Sequence, residues 1–305
     1  MVSYSRVCGD CPCGRLKRKG KPMARTSRLK VDGDAYYHVS SRITGQQFLL
    51  AKAEVKRAML DALERSAAFS GVNIAGFCIM DNHFHVLCQV PKVDAGTVPD
   101  EAVLERVGRL CGEKRLGTLK DELEAFAKAG DLEAISAKLD RFRARMYDIS
   151  EFVKTFLETF RIRFDRIKKY TGRLWCERFN SVLIEDGKQL LRCKQYIEMN
   201  PVRARMTGTV VAYAWNTEGA AHNGNAFAKA CLAWFASIVS GDSPFEEWML
   251  KRCAQMTSGK ILGGKAYVLA MIGLFADRLR SRSLKARTVV DGVYASHGYR
   301  LAKKA

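Results

Sequence analysis

The chain has 305 residues, of which 48% are hydrophobic and 27% are charged, as in a folded globular protein rather than a disordered one. Its net charge of +19 favours a polyanionic partner, most simply nucleic acid. No apolar run approaches the roughly 20 residues that cross a bilayer, and the N-terminus lacks the apolar segment of a secretory signal. The sequence therefore predicts a cytoplasmic protein without a membrane partner.

Residues 1–22 are predicted to form a basic extension. Cys8, Cys11 and Cys13 could contribute to a thiolate metal site, but no fourth ligand follows at a usual spacing. The basic run that continues to Lys30 is either a solvated tail or a surface for phosphates. Other cysteines lie within apolar patterns, where they can act as small buried side chains, namely Cys78, Cys88, Cys111 and Cys231.

A strand, a helix and two further strands are predicted next, at 35–43, 51–70, 72–80 and 84–90. In the first strand, which is rich in β-formers, the period of two places His38 and Arg42 on one face. The polar pair Asp81-Asn82 supplies the turn between the last two strands. This order of elements is typical of a helix packed on an antiparallel sheet.

The motif His83-Phe84-His85 is the first candidate site. Because side chains alternate along a strand, His83 and His85 share one face and Phe84 lies on the other. Imidazole is the commonest protein ligand for a metal. Two histidines are only part of a coordination sphere, however, and a His-x-His pair alone is more often structural than metal-binding.

Residues 93–146 are predicted to be a helical insertion, a clamp or a lid, without a chemical motif. Asp148 and Glu151 then resemble a capping box at the start of a long helix. Phenylalanines at helical spacing indicate a buried stripe on this helix, made of Phe152, Phe156, Phe160 and Phe164. The other side of the helix carries cations that suit DNA phosphates, including Arg161, Arg166, Lys168 and Lys169.

A second candidate site lies on a helix predicted at 188–199, after a strand at 182–184. Tyr196 and Asn200 are four residues apart and therefore share a face of this helix. The amide oxygen of Asn200 suits Mg²⁺ or Mn²⁺ as a third metal ligand, if the helix crosses the sheet. A cation on a phosphate would make the phosphorus more electrophilic. The assembly predicts attack by Tyr196 on a phosphodiester, which leaves a covalent phosphotyrosine.

Residues 207–305 are predicted to be a basic and mostly α-helical region, with helices at 226–239, 245–256 and 266–284. The run from Gly259 to Ala266 nearly spells a Walker A loop. It lacks the hydroxyl residue that holds magnesium, and no clear strand precedes it, so a nucleotide site is not expected there.

The motifs together resemble the REP-associated tyrosine transposases, which are single-tyrosine HUH transposases. The residues that carry the resemblance are His83-Phe84-His85, Leu174-Trp175-Cys176-Glu177-Arg178-Phe179 and Tyr196-Ile197-Glu198-Met199-Asn200-Pro201-Val202-Arg203-Ala204. The resemblance extends over residues 23–206. It implies a ferredoxin-like α+β domain, the HUH endonuclease domain, in which helices pack on an antiparallel sheet. It also implies cleavage and rejoining of single-stranded DNA, often beside a hairpin.

The resemblance implies roles for His83, His85 and Tyr196. His83 and His85 would bind a divalent cation, Mg²⁺ or Mn²⁺, and Tyr196 would take the 5′ phosphate and free a 3′ hydroxyl. DNA contacts are also expected from Arg42, Arg178 and Arg203. A non-catalytic DNA-binding or regulatory protein on the same scaffold stays open as an alternative, as does a relaxase or replication initiator. Monomer and homodimer are equally open.

Overall fold

The computed structural model describes residues 28–239, 260–275, 279–280, 285–290, 293–297 and 300–301. Cys8, Cys11, Cys13 and the helix predicted at 245–256 lie outside them. The elements up to residue 184 are β1 (Ala35–Arg42), α1 (Ala53–Ser70), β2 (Asn73–Ile79), β3 (His83–Val90), α2 (Asp100–Cys111), α3 (Glu113–Lys128), α4 (Leu132–Arg143), α5 (Ile149–Lys168) and β4 (Asn180–Ile184). The later elements are α6 (Lys188–Glu198), α7 (Asn200–Arg203), α8 (Thr217–His222), α9 (Ala226–Ile238), β5 (Ile261–Gly263), α10 (Lys265–Leu274), β6 (Leu279–Arg280), β7 (Lys285–Val290), β8 (Val293–His297) and β9 (Arg300–Leu301).

The central sheet has the strand order β2-β3-β1-β4-β5-β8-β7. Its first four strands pair antiparallel, with α1 between β1 and β2 and α5 between β3 and β4. This split β-α-β arrangement is the ferredoxin-like topology. The predicted α+β fold class is therefore confirmed.

One side of the sheet is covered by α1 and α5. Asp148 caps α5 as predicted, because its carboxylate accepts from Ser150 N at 2.7 Å and Glu151 N at 3.0 Å. The predicted phenylalanine stripe is at most 1% exposed and packs in the core that also holds Phe84. Phe84 meets Phe156 edge-to-face at 5.3 Å and Trp175 at 5.5 Å between ring centroids. The non-histidine face of β3 is thus fixed by packing.

The opposite side of the sheet is covered by α6 and by the segment that leads into α8. The core on this side includes Cys78 and Leu87 from the sheet, Tyr196 from α6, and Tyr213. β2 has a bulge between Ile74 and Gly76, and α6 packs close to it, since a Cβ at Gly76 would lie in van der Waals contact with Lys194 Cγ at 3.4 Å. The alternation of side chains along β3 therefore directs His83 and His85 towards α6.

Three helices, α2, α3 and α4, occupy the region predicted as an insertion. They share a core with the end of α1, built from Phe69, Val103, Leu119 and Leu139. Gly71 ends α1 in the left-handed conformation, with φ of 68°, as expected for a glycine after a helix. One predicted buried cysteine is wrong, since Cys111 is exposed at the end of α2, whereas Cys78, Cys88 and Cys231 are buried.

The C-terminal region adds strands to the sheet as well as helices. The helix predicted at 266–284 is wrong in its second half, because α10 ends at Leu274 and β6 begins at Leu279. β7 and β8 form an antiparallel pair beyond β5, which itself pairs in parallel with β4. β5 also runs through the Walker-like segment, so these residues make sheet bonds. In the described part of the chain, no helix is both long and apolar enough to span a bilayer.

Candidate active site

Three imidazoles meet on the α6 side of the sheet. The ring centroids of His83 and His85 are 5.0 Å apart, as expected for side chains on one face of β3. His38 on β1 joins them, with its Nε2 atom 2.9 Å from Nδ1 of His85. Ser40 is paired with His85 across the two strands, and His38 lies two residues before Ser40, so all three share one face of the sheet.

The environment keeps His85 neutral. Burial, followed by the charges expected on His83, His38, Arg203 and Arg42, lowers the pKa of His85 well below its usual value of 6.5. A neutral imidazole is the form that binds a metal ion. Since Nδ1 of His85 is bonded to His38, a cation would bind its Nε2 atom. Nδ1 of His83 is 2.6 Å from Asn82 Oδ1, so this ring would also use Nε2.

A buried lysine anchors the turn that precedes His83. Lys56 on α1 is 2% exposed, and its Nζ atom donates to Asp81 Oδ1 at 2.6 Å and to the Ile79 carbonyl at 3.3 Å. Lys56 also donates to the hydroxyl of Tyr213, which in turn donates to Ile79 O at 2.7 Å. The turn between β2 and β3 is thereby tied to both α1 and the C-terminal region.

Tyr196 lies beside the imidazoles. Its ring centroid is 6.3 Å from that of His38 and 6.4 Å from that of His85. The guanidinium carbon of Arg203 lies 3.9 Å from the Tyr196 ring centroid, in the position of a cation–π contact. Tyr196 is only 4% exposed, so a substrate phosphate must displace part of its cover to reach the phenol.

Asn200 is near this cluster in sequence, but its contacts go to its own helix. Its Nδ2 atom donates to the carbonyls of Tyr196 and Ile197, each at 3.1 Å. The amide oxygen is therefore the atom that could take a ligand. The third-ligand role of Asn200 stays a prediction.

The donor set fits a divalent cation only in part. Within the described residues, no group of three or more His, Cys, Asp or Glu side chains has an arrangement that could hold a metal ion. His83 and His85 supply two nitrogen donors. A hard cation held there would complete its coordination with oxygen, from Asn200, water or a substrate phosphate.

Six of the seven predicted DNA-binding cations can be assigned to one side of the sheet or the other. Arg42 is paired with His83, and Arg203 covers Tyr196, so both belong to the site side. Arg178 lies just before β4. The others lie on α5 or directly after it, on the far side, and are Arg161, Arg166, Lys168 and Lys169.

Arg161 has a structural explanation on that far side. Its guanidinium pairs with Asp165 at 2.7 Å and donates to the carbonyls of Gly172 and Tyr170, each at 2.9 Å. These bonds fasten the chain that leaves α5. Arg166 instead lines a cleft between α5 and the insertion. Neither residue contacts the imidazoles in the described structure.

Sequence reasoning missed two contributors to this site. His38 was placed on the same face as Arg42, but its contact with His85 depends on the register between β1 and β3. Lys56 fell on the predicted helix at 51–70, where it stands between Val55 and Arg57 and its neighbours in sequence do not mark it as buried. Its partners are 25 residues away at Asp81 and 157 residues away at Tyr213.

Known proteins give little evidence about the roles of these residues. No protein-family model and no curated protein matches the chain. A solved structure of a REP-associated tyrosine transposase bound to a REP hairpin is similar, with a TM-score of 0.41 and 12% identity over 74% of this chain and 96% of that chain. A functional proposal therefore rests on the residues and their geometry.

Proposed function

We propose that this protein nicks single-stranded DNA and transfers the strand through a covalent bond to Tyr196, in the manner of a transposase. The observation that carries the proposal is the meeting of Tyr196, His83 and His85 on one side of the sheet, with ring centroids of Tyr196 and His85 6.4 Å apart. The net charge of +19 and the guanidinium of Arg203 beside the tyrosine suit a DNA substrate.

The chemistry would proceed by displacement at phosphorus. The Tyr196 oxygen attacks the phosphorus and loses its proton to solvent, while the bond from phosphorus to the 3′ oxygen breaks and that oxygen takes a proton. The DNA 5′ phosphate is then linked to Tyr196, and a 3′ hydroxyl is free. Mg²⁺ or Mn²⁺ held by His83 and His85, with Asn200 as a third ligand, would polarise the phosphate. Attack by the 3′ hydroxyl of another strand would reverse the step and complete transfer.

Arg203 would take part in access as well as in binding. Its guanidinium covers the Tyr196 ring at 3.9 Å. A phosphate that entered would offer the guanidinium a stronger, charge-assisted partner than the ring. Movement of Arg203 onto the phosphate would uncover the phenol at the moment when the substrate is in place. Arg42, paired with His83, is suited to a second phosphate contact.

A non-catalytic DNA-binding protein is the second candidate. The observation in its favour is the 4% exposure of Tyr196, which is typical of a core residue rather than an accessible nucleophile. The two functions differ in one product, because only the enzyme becomes covalently attached to DNA.

A labelled oligonucleotide separates them. The full chain is incubated with a hairpin-bearing single-stranded oligonucleotide, labelled at its 3′ end, in Mg²⁺, Mn²⁺ or EDTA, and analysed on a denaturing gel. We expect a metal-dependent protein–DNA adduct in the wild type and in the matched control Tyr170→Phe, on the far side of the sheet. Absence of an adduct across a broad oligonucleotide set, with binding intact, would support the non-catalytic candidate.

The histidines are tested in the same assay. His83→Ala and His85→Ala should lose the metal-dependent adduct and retain DNA affinity, while His222→Ala on the exposed end of α8 should behave as wild type. Direct titration with Mn²⁺, followed by its paramagnetic resonance signal, gives a readout besides activity. Unchanged Mn²⁺ affinity in both site variants would refute their role as ligands.

A further inference from the structure

Three cationic side chains gather at the start of β4. The guanidinium of Arg28 lies over the ring of Phe179, 4.0 Å from its centroid, and donates to the Phe179 carbonyl. The Nζ atom of Lys260 donates to Asn180 Oδ1, at the first residue of β4. Arg178 directly precedes Phe179 in the chain, and its charge acts on both Arg28 and Lys260. Residues from 28, 178–180 and 260 thus converge on one point.

Two cations of this cluster, Arg28 and Lys260, have no carboxylate beside them in the described structure. Burial, followed by the charges of Arg28 and Arg178, lowers the pKa of Lys260 to about 8. Burial and then the charge of Arg178 lower the pKa of Arg28 to about 10. The Nε atom of Arg28 is also buried, and no described residue offers it a hydrogen-bond acceptor.

Such an arrangement is costly unless an anion completes it. A buried donor without an acceptor loses its hydration without replacement, and like charges that share a buried site repel each other. A phosphate oxyanion would supply an acceptor for Nε of Arg28 and a negative charge beside Arg28 and Lys260. Arginine in particular matches the geometry of phosphate oxygens.

The cluster lies in line with the candidate active site. Asn180 is paired with Ser40 on β1, and Ser40 is paired with His85 on β3. Neighbouring strands are about 4.8 Å apart, so the Asn180 position lies roughly 10 Å from the His85 position across the sheet. A DNA strand that has one phosphate at His85 could place another phosphate at this cluster.

We propose that Arg28, Arg178 and Lys260 form a binding site for a backbone phosphate of the single-stranded DNA substrate, at the start of β4. The site rests on the proposed function for its ligand, and it gives the C-terminal region a role in holding that strand. Lys260 lies outside the three motifs that contain or flank the proposed catalytic residues, at 83–85, 174–179 and 196–204.

Chemical labelling of Lys260 tests the site in the wild-type full chain. The protein is treated with acetic anhydride at pH 7.5 in EDTA, so that DNA binds without cleavage, and the rate at each lysine is read by mass spectrometry. The exposed Lys120 on α3 is the internal reference. A single-stranded oligonucleotide should slow the reaction of Lys260 at least tenfold and leave Lys120 unchanged.

The possible results distinguish failure of the phosphate site from failure of the proposed catalysis. No protection of Lys260 by an oligonucleotide that binds would overturn the proposal. Equal protection by inorganic phosphate at the same phosphate concentration would assign the cluster to a small phosphate ion instead of a DNA strand. Protection of Lys260 without formation of a tyrosine adduct in Mg²⁺ or Mn²⁺ would refute the proposed catalysis and leave this phosphate site standing.

A variant provides a second measurement. Lys260→Met should weaken oligonucleotide binding and reduce the slope of log affinity against log salt by about 0.7, the value for one phosphate contact on a single strand. Lys120→Met is the matched control and should leave the slope unchanged. A slope in Lys260→Met equal to that of the wild type, with a wild-type circular dichroism spectrum, would contradict the proposal.

Discussion

Replacement of Lys56 by methionine should destabilise the protein and loosen the turn before His83. Methionine retains most of the lysine stem and removes the ammonium group. The change deletes the bonds of Nζ to Asp81 Oδ1 at 2.6 Å and to Ile79 O at 3.3 Å, together with the contact to the Tyr213 hydroxyl. It leaves the carboxylate of Asp81 without its cation.

The magnitude follows from the exposure of the two partners. Removal of one member of a buried ion pair costs about 3–5 kcal/mol. The Lys56 side chain is 3% exposed but that of Asp81 is 30% exposed, so water can partly solvate the orphaned carboxylate. We therefore expect a loss of about 2–3 kcal/mol in the free energy of unfolding, near the contribution of one or two hydrogen bonds to a charged group.

Urea unfolding followed by tryptophan fluorescence measures this loss. Lys52→Met, at the exposed residue just before α1, is the matched control and should change stability by less than about 0.5 kcal/mol. A cycle with Asp81→Asn isolates the pair and should give a coupling of about 1 kcal/mol or more. A Lys56→Met protein within 0.5 kcal/mol of wild type, or a pair of fully additive substitutions, would refute the anchoring role.

Three further outcomes follow from the fold. Gly71→Ala should destabilise the protein by more than about 1 kcal/mol, and by more than Gly130→Ala does. Both glycines have positive φ, but of the two only Gly71 is close to a tyrosine ring, which an added Cβ would meet at 2.4 Å. Equal losses would contradict this. Phe160→Ala should lower the free energy of unfolding by about 3–5 kcal/mol, measured by thermal or urea unfolding, since the side chain is fully buried in the core beside the sheet. A loss under about 1 kcal/mol would show that Phe160 is not packed in this core. Burial raises the pKa of Glu198 from 4.5 to about 7, against the opposing charge of Lys194. The folded state therefore binds the proton of the Glu198 carboxyl more tightly than the unfolded state does. The stability gained from this protonation is fully present below pH 4.5 and is lost as the pH rises to about 7. Glu198→Gln should flatten the stability profile in that window, and an unchanged profile would contradict it.

Local patterns were sufficient for the first half of the fold. The phenylalanine stripe of α5, its Asp148 cap and the glycine after α1 follow rules that operate within a few residues, and the structure has each where expected. The order of strands and helices was then enough to indicate a helix packed on an antiparallel sheet, and the family resemblance implied the ferredoxin-like domain. Distant pairing was not needed for that conclusion.

The C-terminal strands show where local reasoning failed. A helical period was extended through residues 275–284, although Lys285–Val290 and Val293–His297 are separated by Asp291-Gly292, a strong hairpin signal. β5 is three residues long and pairs with β4 over a separation of 78 residues. A strand this short is defined by its partner, so its own sequence cannot predict it.

In the candidate site, too, local periodicity predicted some features and tertiary packing determined the others. The strand period placed His83 and His85 together, and the helix period placed Tyr196 with Asn200. The approach of His38 to His85, the cover of Arg203 on Tyr196 and the anchor at Lys56 depend on packing between separate elements. Such contacts need the three-dimensional structure, because no spacing in the chain encodes them.

Peptide mapping of the covalent adduct tests the central claim most directly. After reaction with the hairpin oligonucleotide in Mg²⁺ or Mn²⁺ and nuclease trimming, trypsin should release the peptide that follows Lys194 and ends at Arg203. We predict that this peptide carries a nucleotide through its 5′ phosphate, with fragment ions that place the modification on Tyr196, and that Tyr196→Phe carries none. An adduct mapped to another residue, or one that persists in Tyr196→Phe, would contradict the account.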